Sequence, residues 1–497
     1  MTEVRVDRLN KHTVAWLVLG LIVVGLLLRF WRLGDWNFQA TEIFTLRDSG
    51  RPQFNNPRPL GYVLNYYLIR PFLPLDEFGL RLLPAVFGVL AIPVLYLVGQ
   101  RVIGSRAALF AALLLTLSPL HIMYSQLARY WSLVFFFSAI YPSALYVGVR
   151  ERNPRWLILG IVTAILAALA HPVSSLLLAG PLLVLLPTYL RPGLLREVWE
   201  RRSFRWWTIA AFIVAVLIVI RFIPILYGWI AEHDRNPGSG QFLLRHNPPG
   251  IKQVVYLLAF IESLTVPLTL IALLGLYLLW RTGFRLLAMY LSSVAGFPIL
   301  FLTLISLRTP VSQYYLLPTV PVFFLAAGFF LDWVASVEWP VRPRWVVPAA
   351  FAAIVIAAGL PTLGSDYRDG RRYDFRRVAH WLQHRLSPGD VIFSDQPMVL
   401  AHYLEGVKVQ RLRLPTPLAE ALRDHPGTGK AAALWIVAPA ASHAFRATLK
   451  EGGLIDWIYP HCQLQNTVGV GRVDYRQEYL QVYRCPPLPP PERASSE

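Results

Sequence analysis

The sequence lacks the motifs by which many enzymes bind nucleotides or metal ions. It contains no Walker phosphate-binding loop, no GxGxxG unit and no group of residues at metal-ligand spacing. The closest glycine-rich stretch, VGVG at 468–471, is not followed by a helical pattern and fits a hairpin better than a phosphate cradle. We therefore expect no cofactor, assign no metal ligands and do not expect a nucleotide-driven mechanism.

Cysteine is almost absent: the chain has two, Cys462 and Cys485, both after the last apolar segment. They flank segments with the pattern of paired strands. A disulfide is one interpretation if this tail lies outside the cytoplasm, and two unrelated thiols are the other.

Acidic residues are also scarce, with 29 Asp and Glu against 47 Lys and Arg, giving a net charge of +18. In a soluble protein such an excess would suggest nucleic-acid binding. Here the basic residues fall in short loops between apolar segments, which is typical of the cytoplasmic side of a membrane protein, and some are placed to contact anionic lipid. We expect membrane lipid and no nucleic acid as a partner.

Long apolar runs are abundant. Apolar residues make up 55% of the chain and the mean hydropathy is +0.46, and many runs reach the ~20 residues that cross a bilayer. No small-residue cleavage site follows the first run, so we expect an uncleaved first span. The sequence predicts a mainly α, polytopic protein with about eleven transmembrane helices, roughly at 14–30, 80–98, 107–124, 131–149, 156–170, 173–190, 206–227, 254–280, 286–307, 315–334 and 345–360.

Arginines occur in alternate loops, which predicts a multi-pass protein of the inner (plasma) membrane with a cytoplasmic N-terminus and an extracytoplasmic tail. We predict a transmembrane domain at 1–362 with a first outer loop at 32–78, a soluble α/β domain at 363–485 and a disordered Pro-rich end at 486–497. Within the soluble domain the pattern indicates a helix at 374–382, strands at 391–393 and 433–437, a helix from about Ser442 and a hairpin at 468–482.

The predicted outer loops hold most of the residues capable of chemistry. Glu42 follows the first span among apolar neighbours, where a carboxylate can act as a general base; capping a helix or pairing with an arginine is the alternative. Arg129, between aromatic residues, has the donors to bind a phosphate or is an interfacial arginine beside an aromatic belt. His171 is predicted either to contact the substrate or simply to form a polar helix end before Pro172. Arg308 completes a phosphate site or anchors the chain at the interface.

Short segments in these loops, taken in order and sidedness, resemble the GT-C superfamily of membrane glycosyltransferases. More narrowly, they are similar to its bacterial dolichyl-phosphate-mannose protein mannosyltransferase-like and aminoarabinose-transferase-like group. No single segment is specific, and their common order and side of the membrane carry the resemblance. The segments are TE at 41–42, PLGY at 59–62, RLLP at 81–84, SQLARYWS at 125–132, AH at 170–171 and QYYLLP at 313–318.

This resemblance implies a GT-C fold and an inverting transfer of a sugar from a polyprenyl-phosphate donor to a glycan, lipid or protein acceptor at the outer face. It implies that a first-loop carboxylate deprotonates the acceptor while arginines stabilise the departing phosphate. The implied site consists of Glu42 as the catalytic base, Arg129, Arg308 and Arg58 at the donor phosphate, and His171, Tyr62, Tyr130 and Tyr314 around the substrate.

The chain departs from the family pattern where Thr41 replaces the usual Asp and Gln313 replaces the usual Arg. A second hypothesis is therefore a catalytically impaired GT-C-like protein that binds or handles a lipid-linked saccharide. An ion-coupled transporter is less favoured, because transporters place their sites near mid-membrane and these spans hold few charges.

Overall fold

The computed structural model describes residues 10–52, 54–185, 255–307, 311–339, 343, 345–370, 373–411, 433–439, 458, 460–470 and 478–485. The chain forms two compact units. As far as these residues go, the first unit contains 10–33 and 48–363, and the second contains 34–47 and 364–485.

Helices account for most of the described chain. Short π-helices cover Asn65–Ile69 and Pro181–Leu185, and 3-10 helices cover Pro172–Leu178 and Gln313–Thr319. The α-helices, labelled in order among the described residues, are α1 Lys11–Phe30, α2 Ala40–Ser49, α3 Pro59–Leu64, α4 Glu77–Val102, α5 Ser105–Thr116, α6 Pro119–Ser125, α7 Trp131–Arg150, α8 Pro154–Ala170, α9 Val255–Leu264, α10 Val266–Arg281, α11 Arg285–Ser306, α12 Val320–Ser336, α13 Val346–Asp369, α14 Phe375–Gln383 and α15 Pro397–Tyr403.

Six helices of the described chain are long and apolar enough to cross a membrane, and the number rises to eight if each of two bent pairs forms one span. The protein is therefore a multi-pass membrane protein, whereas the figure of about eleven spans stays a prediction. The span predicted at 206–227 lies outside the described residues. The six helices are Lys11–Phe30, Glu77–Val102, Trp131–Arg150, Arg285–Ser306, Gln313–Ser336 and Val346–Arg368.

The span predicted at 254–280 is not one continuous helix. It consists of α9 and α10, bent by 92° at Thr265, whose φ is +76°. Pro267 occupies the first turn of α10. A proline inside a continuous helix removes one backbone hydrogen bond and clashes with the preceding turn, so α9 ends before it. The hydropathy pattern missed this break because every residue around it except the proline is compatible with a span.

A second break divides the span predicted at 107–124 into α5 and α6, which are bent by 62°. Pro119 begins α6, and the Ser118 side chain accepts a hydrogen bond from the third residue of that helix. The buried Arg29 side chain donates to the carbonyls of Leu115 and Thr116, each at 3.2 Å. Because the last carbonyls of a helix have no partner within it, Arg29 stabilises the end of α5.

Small residues allow close packing in the first unit. A Cβ added at Gly275 of α10 would lie 1.9 Å from the carbonyl oxygen of Ala326, and one added at Gly328 of α12 would lie 2.3 Å from that of Ala107. Close backbone approach at small residues is the usual way in which helices associate in lipid. Glycine is therefore required at both positions for α12 to pack between α5 and α10.

The second unit contains a five-stranded sheet in the order β2-β1-β3-β5-β4. β1 pairs in parallel with β2 and β3, and β5 pairs antiparallel with β3 and β4. Phe393, Ile436 and Tyr483 contribute to its apolar core. The strands are β1 Val391–Ser394, β2 Val409–Arg411, β3 Leu434–Pro439, β4 Gln463–Val470 and β5 Glu478–Cys485.

Most elements predicted for the tail are confirmed. The helix at 374–382 corresponds to α14, whose first turn is capped by the Asp374 carboxylate accepting from Arg377 N at 3.0 Å. The strands at 391–393 and 433–437 are β1 and β3, and the predicted hairpin is the longer β4–β5 pair. Cys462 and Cys485 form a disulfide. The helix predicted from Ser442 and the end at 486–497 lie outside the described residues.

The second unit also contains residues 34–47, which we call the Glu42 segment. The charge and hydropathy pattern predicts that the whole loop at 32–78 belongs to the transmembrane domain. The structure instead groups the first part of this loop with the tail domain, over 300 residues later in the chain, and leaves the remainder with the membrane helices. A carboxylate predicted to be catalytic therefore belongs to the same compact unit as the tail domain.

Candidate functional site

In the first unit, two guanidinium groups converge on one phenol. Arg58 Nη1 and Arg129 Nη2 both donate to the Tyr130 hydroxyl oxygen, the latter at 3.1 Å. Both cations also lie over the Tyr130 ring, with their Cζ atoms 5.2 Å and 4.6 Å from its centroid. A cation over an aromatic face is attracted by the ring quadrupole, so Tyr130 holds the two arginines side by side.

Local backbone structure brings these three residues together. Arg58 directly precedes α3, which begins with Pro59. The backbone N–H of Arg58 donates to Asn56 Oδ1 at 2.9 Å. Tyr130 directly precedes α7. Gly61 of α3 lies against Tyr130, because a Cβ at Gly61 would be 3.5 Å from the Tyr130 Cβ. The starts of α3 and α7 are thus adjacent, and the residue at the start of each belongs to the site.

Aromatic rings extend the site beyond Tyr130. Trp131 stacks on His171 with centroids 4.9 Å apart and an interplanar angle of 29°. The ring centroids of Tyr314 and Trp131 are 4.9 Å apart, and those of Tyr315 and His171 are 5.8 Å apart. We call the full set the Tyr130 cluster, consisting of Arg58, Arg129, Tyr130, Trp131, His171, Tyr314 and Tyr315.

His171 has a structural role as well as a place in this cluster. His171 directly follows the last residue of α8 and caps that helix. Its Nδ1 accepts a hydrogen bond from Val173 N at 3.1 Å, and its carbonyl accepts one from Ser174 Oγ at 2.8 Å. A neutral ring whose Nδ1 accepts carries its proton on Nε2. These backbone bonds are those expected of a polar helix end, which was the alternative role predicted for His171. The ring can interact with the rest of the cluster through Nε2 and through its π face, which stacks on Trp131.

The electrostatics keep Arg58 charged and Tyr62 neutral. Burial is the largest influence on the pKa of Arg58 and lowers it, but Tyr130 and Tyr62 act in the opposite direction, and the pKa is raised overall. Burial raises the pKa of Tyr62, although Arg129 opposes this shift. The site therefore presents a charged guanidinium near the neutral phenol of Tyr62, which is a suitable lining for an anion that also carries apolar or sugar surface.

Glu42 lies in the second unit, in the first turn of α2, and is fully buried. Its Oε2 accepts a hydrogen bond from Gln39 N at 2.8 Å, and its own N–H donates to Gln39 O at 2.9 Å. Helix capping, one of the two alternatives for this carboxylate, is therefore present. The role of Glu42 as a base stays a prediction.

The structure brings together most of the residues predicted to bind donor and substrate. Arg58, Arg129, Tyr130, His171 and Tyr314 belong to one cluster, and Tyr62 interacts electrostatically with its arginines. Arg308 lies outside the described residues. Trp131 and Tyr315 were not predicted as site residues, although both stand in the quoted segments next to residues that were. Among the described residues no three His, Cys, Asp or Glu side chains are grouped to hold a metal ion.

Solved structures of similar architecture identify the fold. The chain resembles ArnT from Cupriavidus metallidurans in its apo state over 95% of this chain and 98% of that one, with a TM-score of 0.53 and 16% identity. The same enzyme bound to undecaprenyl phosphate matches over 96% and 98%, with a TM-score of 0.53 and 15% identity. The chain has the fold of the GT-C membrane glycosyltransferases.

A further GT-C structure and a family model agree with this fold. The archaeal oligosaccharyltransferase AglB from Archaeoglobus fulgidus, in complex with an inhibitory peptide and a dolichol-phosphate, matches over 86% of this chain and 69% of that chain, with a TM-score of 0.56 and 11% identity. Residues 63–198 match the family model for dolichyl-phosphate-mannose-protein mannosyltransferases. No curated protein sequence matches the chain.

Proposed function

We propose that this protein is an inverting glycosyltransferase that moves a sugar from a polyprenyl-phosphate donor to a glycan, lipid or protein acceptor at the outer face of the membrane. The observation that carries the proposal is the convergence of Arg58 and Arg129 on one phenol oxygen, inside an aromatic cluster of a GT-C fold. Relatives of this fold bind undecaprenyl phosphate and a dolichol-phosphate.

Two arginines side by side suit a phosphate diester that becomes a monoester as its sugar leaves. A guanidinium offers parallel N–H donors that match phosphate oxygens and cannot lose its charge near neutral pH. In the proposed complex a donor phosphate oxygen takes hydrogen bonds from the two guanidinium groups, and the extra negative charge that develops on departure is stabilised more than the ground state. The aromatic members of the Tyr130 cluster supply faces for the sugar and the first apolar units of the lipid.

The proposed reaction has one displacement step. Glu42 removes the proton of an acceptor hydroxyl, and the acceptor oxygen forms a bond to the anomeric carbon. The bond from this carbon to the phosphate oxygen breaks, the lipid phosphate leaves with the electron pair, and the anomeric configuration inverts. No nucleotide is consumed, which suits a site among loops that the charge pattern assigns to the outside.

The test is transfer of labelled sugar by the full-length protein in lipid nanodiscs. Polyprenyl-phosphate mannose and polyprenyl-phosphate aminoarabinose serve as donors, with cell-envelope extract as the source of acceptor. We expect release of polyprenyl phosphate coupled to label in an acceptor, lost in Glu42→Gln. Full activity in Glu42→Gln would refute the assignment of the base.

A second candidate function is binding of a lipid-linked saccharide without transfer. It is favoured by the use of Glu42 Oε2 as a helix cap and by Thr41 in the position of the usual Asp. It predicts that the unaltered protein binds the donor but releases no polyprenyl phosphate, and that Thr41→Asp gains transfer. A wild-type protein that already turns over the donor excludes it.

A further inference from the structure

The Glu42 segment is anchored to the tail domain by two hydrogen bonds, each between a main-chain group and a side chain. Phe38 N donates to the hydroxyl oxygen of Tyr403 at 2.7 Å. One residue earlier, Asn37 Nδ2 donates to the carbonyl of Tyr373 at 2.9 Å. Phe38 is 1% exposed, and its ring lies 5.5 Å from that of His402. Because an unpaired buried N–H is costly, these bonds fix the course of the chain just before α2.

A glycine in the tail domain completes this anchor. Gly370, with φ of +72°, lies against the indole of Trp36, since an added Cβ would be 2.4 Å from the Trp36 ring. The left-handed conformation and the lack of a side chain are both needed at this position. Residues 36, 37 and 38 are therefore each held by a different residue of the tail domain.

The anchor is directly coupled to Glu42. Phe38 N is fixed by Tyr403, the next amide, Gln39 N, donates to Glu42 Oε2, and Glu42 N donates back to Gln39 O. The phenol is thus linked to the carboxylate through two hydrogen bonds, at Phe38 N and Gln39 N, which are donated by adjacent amides of the main chain. A displacement of the Phe38 amide would therefore displace the first turn of α2 and the side chain that caps it.

Tyr403 is itself well fixed. It is the last residue of α15, its carbonyl accepts from Gln383 Nε2 of α14 at 3.1 Å, and the Arg376 guanidinium lies 5.6 Å from the centre of its ring. The hydroxyl is thus presented from a helix that packs within the soluble domain, not from a mobile chain end. A bond from such a fixed point restricts the position of the Phe38 amide more than a bond to water would.

We propose that Tyr403 is a positioning residue for Glu42: its hydroxyl holds the start of α2 so that the carboxylate points at the acceptor. This inference rests on the proposed function, in which Glu42 is the base. It makes the tail domain a working part of the transferase, because the domain sets the geometry of the catalytic carboxylate.

The first test is Tyr403→Phe in the full-length protein, which removes one oxygen and keeps the ring. Small misplacements of a catalytic group cost rate more than binding. We expect kcat to fall roughly 10-fold with the KM for the donor unchanged, and the amides of residues 36–44 to exchange with deuterium faster. Tyr483→Phe is the matched control, since it removes a phenol hydroxyl that donates to Gln481 Oε1 in the same domain, and it should leave both readouts unchanged.

The second test is Gly370→Ala, compared with Gly406→Ala. Both glycines have positive φ, +72° and +75°, but a Cβ would strike Trp36 only at Gly370 and meets nothing within 4 Å at Gly406. The pair separates displacement of the Glu42 segment from general backbone strain. We expect kcat to fall further for Gly370→Ala than for Gly406→Ala, again with the donor KM unchanged.

The outcomes distinguish this inference from the function on which it rests. Transfer by Tyr403→Phe at the wild-type kcat, or unchanged exchange at residues 36–44, overturns the positioning role alone. An equal fall in kcat for Tyr483→Phe overturns it too, because the effect would then be a general one. Failure of the unaltered protein to transfer any sugar overturns the proposed function itself.

Discussion

The Tyr130 cluster and the Glu42 segment hold their functional groups in different ways. In the cluster, side chains from four separate parts of the chain fix one another by stacking and by cation–π contacts. In the segment, hydrogen bonds to the tail domain hold residues 37 and 38, and the Glu42 carboxylate accepts from the next main-chain amide, Gln39 N.

This difference matches the two tasks of the transferase that we propose. A site for a charged, partly apolar donor gains from rigid rings and permanent cations, which bind the donor and stabilise the charge that develops on the departing phosphate. A base must point at one proton within a few tenths of an ångström, and backbone anchoring supplies that direction. We therefore expect changes in the cluster to weaken donor binding as well as transfer, and changes in the segment to lower transfer alone.

The largest expected effect comes from Glu42→Gln. Loss of a general base typically lowers the rate 10²–10⁴-fold, and we expect such a fall in kcat with donor affinity retained, because the Tyr130 cluster is untouched. Single-turnover transfer and donor binding measured on the same preparation check this. Thr41→Ala is the control: a Thr hydroxyl is no base near neutral pH, so this neighbour should remain active. Weaker donor binding in Glu42→Gln would contradict the separation of tasks.

The next largest effect concerns the tail domain. Replacing Cys462 and Cys485 by Ser removes a disulfide that spans 23 residues, and loop-closure entropy predicts a loss of about 3 kcal/mol in the stability of the domain. Thermal unfolding in detergent, with and without reductant, measures it.

The donor affinity of the double Cys→Ser variant tests whether the Tyr130 cluster works independently of the tail domain that holds the Glu42 segment. We expect donor binding by the Tyr130 cluster to be unchanged at a temperature at which the tail domain has begun to unfold, while transfer is lost. Equal loss of donor binding and transfer would show that the two regions are not separable.

A smaller effect is expected for Arg58→Gln and Arg129→Gln. Hydrogen bonds to charged groups contribute about 1.5–3 kcal/mol, so each variant should weaken donor binding by about 10- to 100-fold. The matched Lys variants keep the charge but lose the parallel N–H donors of the guanidinium. Their donor affinity should therefore lie between that of the wild type and that of the Gln variants. Arg385→Gln is a control, because Arg385 lies 4.1 Å from the Trp381 ring centroid in the tail domain. An equal loss of donor binding in this variant would refute the assignment.

The smallest effect is a pH dependence in the tail domain. Burial raises the pKa of Asp395 from 3.8 to about 6, against hydrogen bonds from Gln396 and Ser394 that lower it. The folded state therefore holds a proton that the unfolded state has released between these two values, so stability falls as pH rises through this range. Between pH 5 and 7 the loss is about 1 kcal/mol.

Asp395→Asn tests this dependence, because an amide does not titrate. The thermal midpoint of the full-length protein should change less between pH 5 and 7 in this variant than in the wild type. A wild-type midpoint that rises with pH over this interval would contradict the sign. Donor affinity should not differ between the two proteins, since Asp395 belongs to the second unit.

Hydropathy predicted the six long apolar helices of the described chain, because each span must satisfy its own backbone and cover itself with apolar side chains. The same pattern failed at Thr265 and before Pro119, where a proline ends one helix and begins another inside a continuous apolar run. Local turn residues decided these breaks, and a sliding average over about 20 residues conceals them.

The candidate site was predictable where its members stand in short motifs and not where they meet across the chain. Arg129 and Tyr130 are adjacent in sequence, so their common environment was evident. Trp131 and Tyr315 were missed because an aromatic residue at a membrane boundary has the same appearance whether it faces lipid or a site. The bond between Phe38 and Tyr403 joins residues 365 positions apart, and no local pattern reports such a contact.

The distance in sequence between Phe38 and Tyr403 has a consequence for the order in which the protein folds during synthesis. Ribosomes add about 5–20 residues per second, so Tyr403 follows Phe38 by roughly 20–70 s of synthesis. Throughout that interval the membrane helices emerge and the arginines around Tyr130 come together, while the start of α2 has no anchor. Nascent chains would thus complete the Tyr130 cluster before the Glu42 segment acquires its bond to Tyr403, and under the proposed function transfer would begin only when the tail domain has folded.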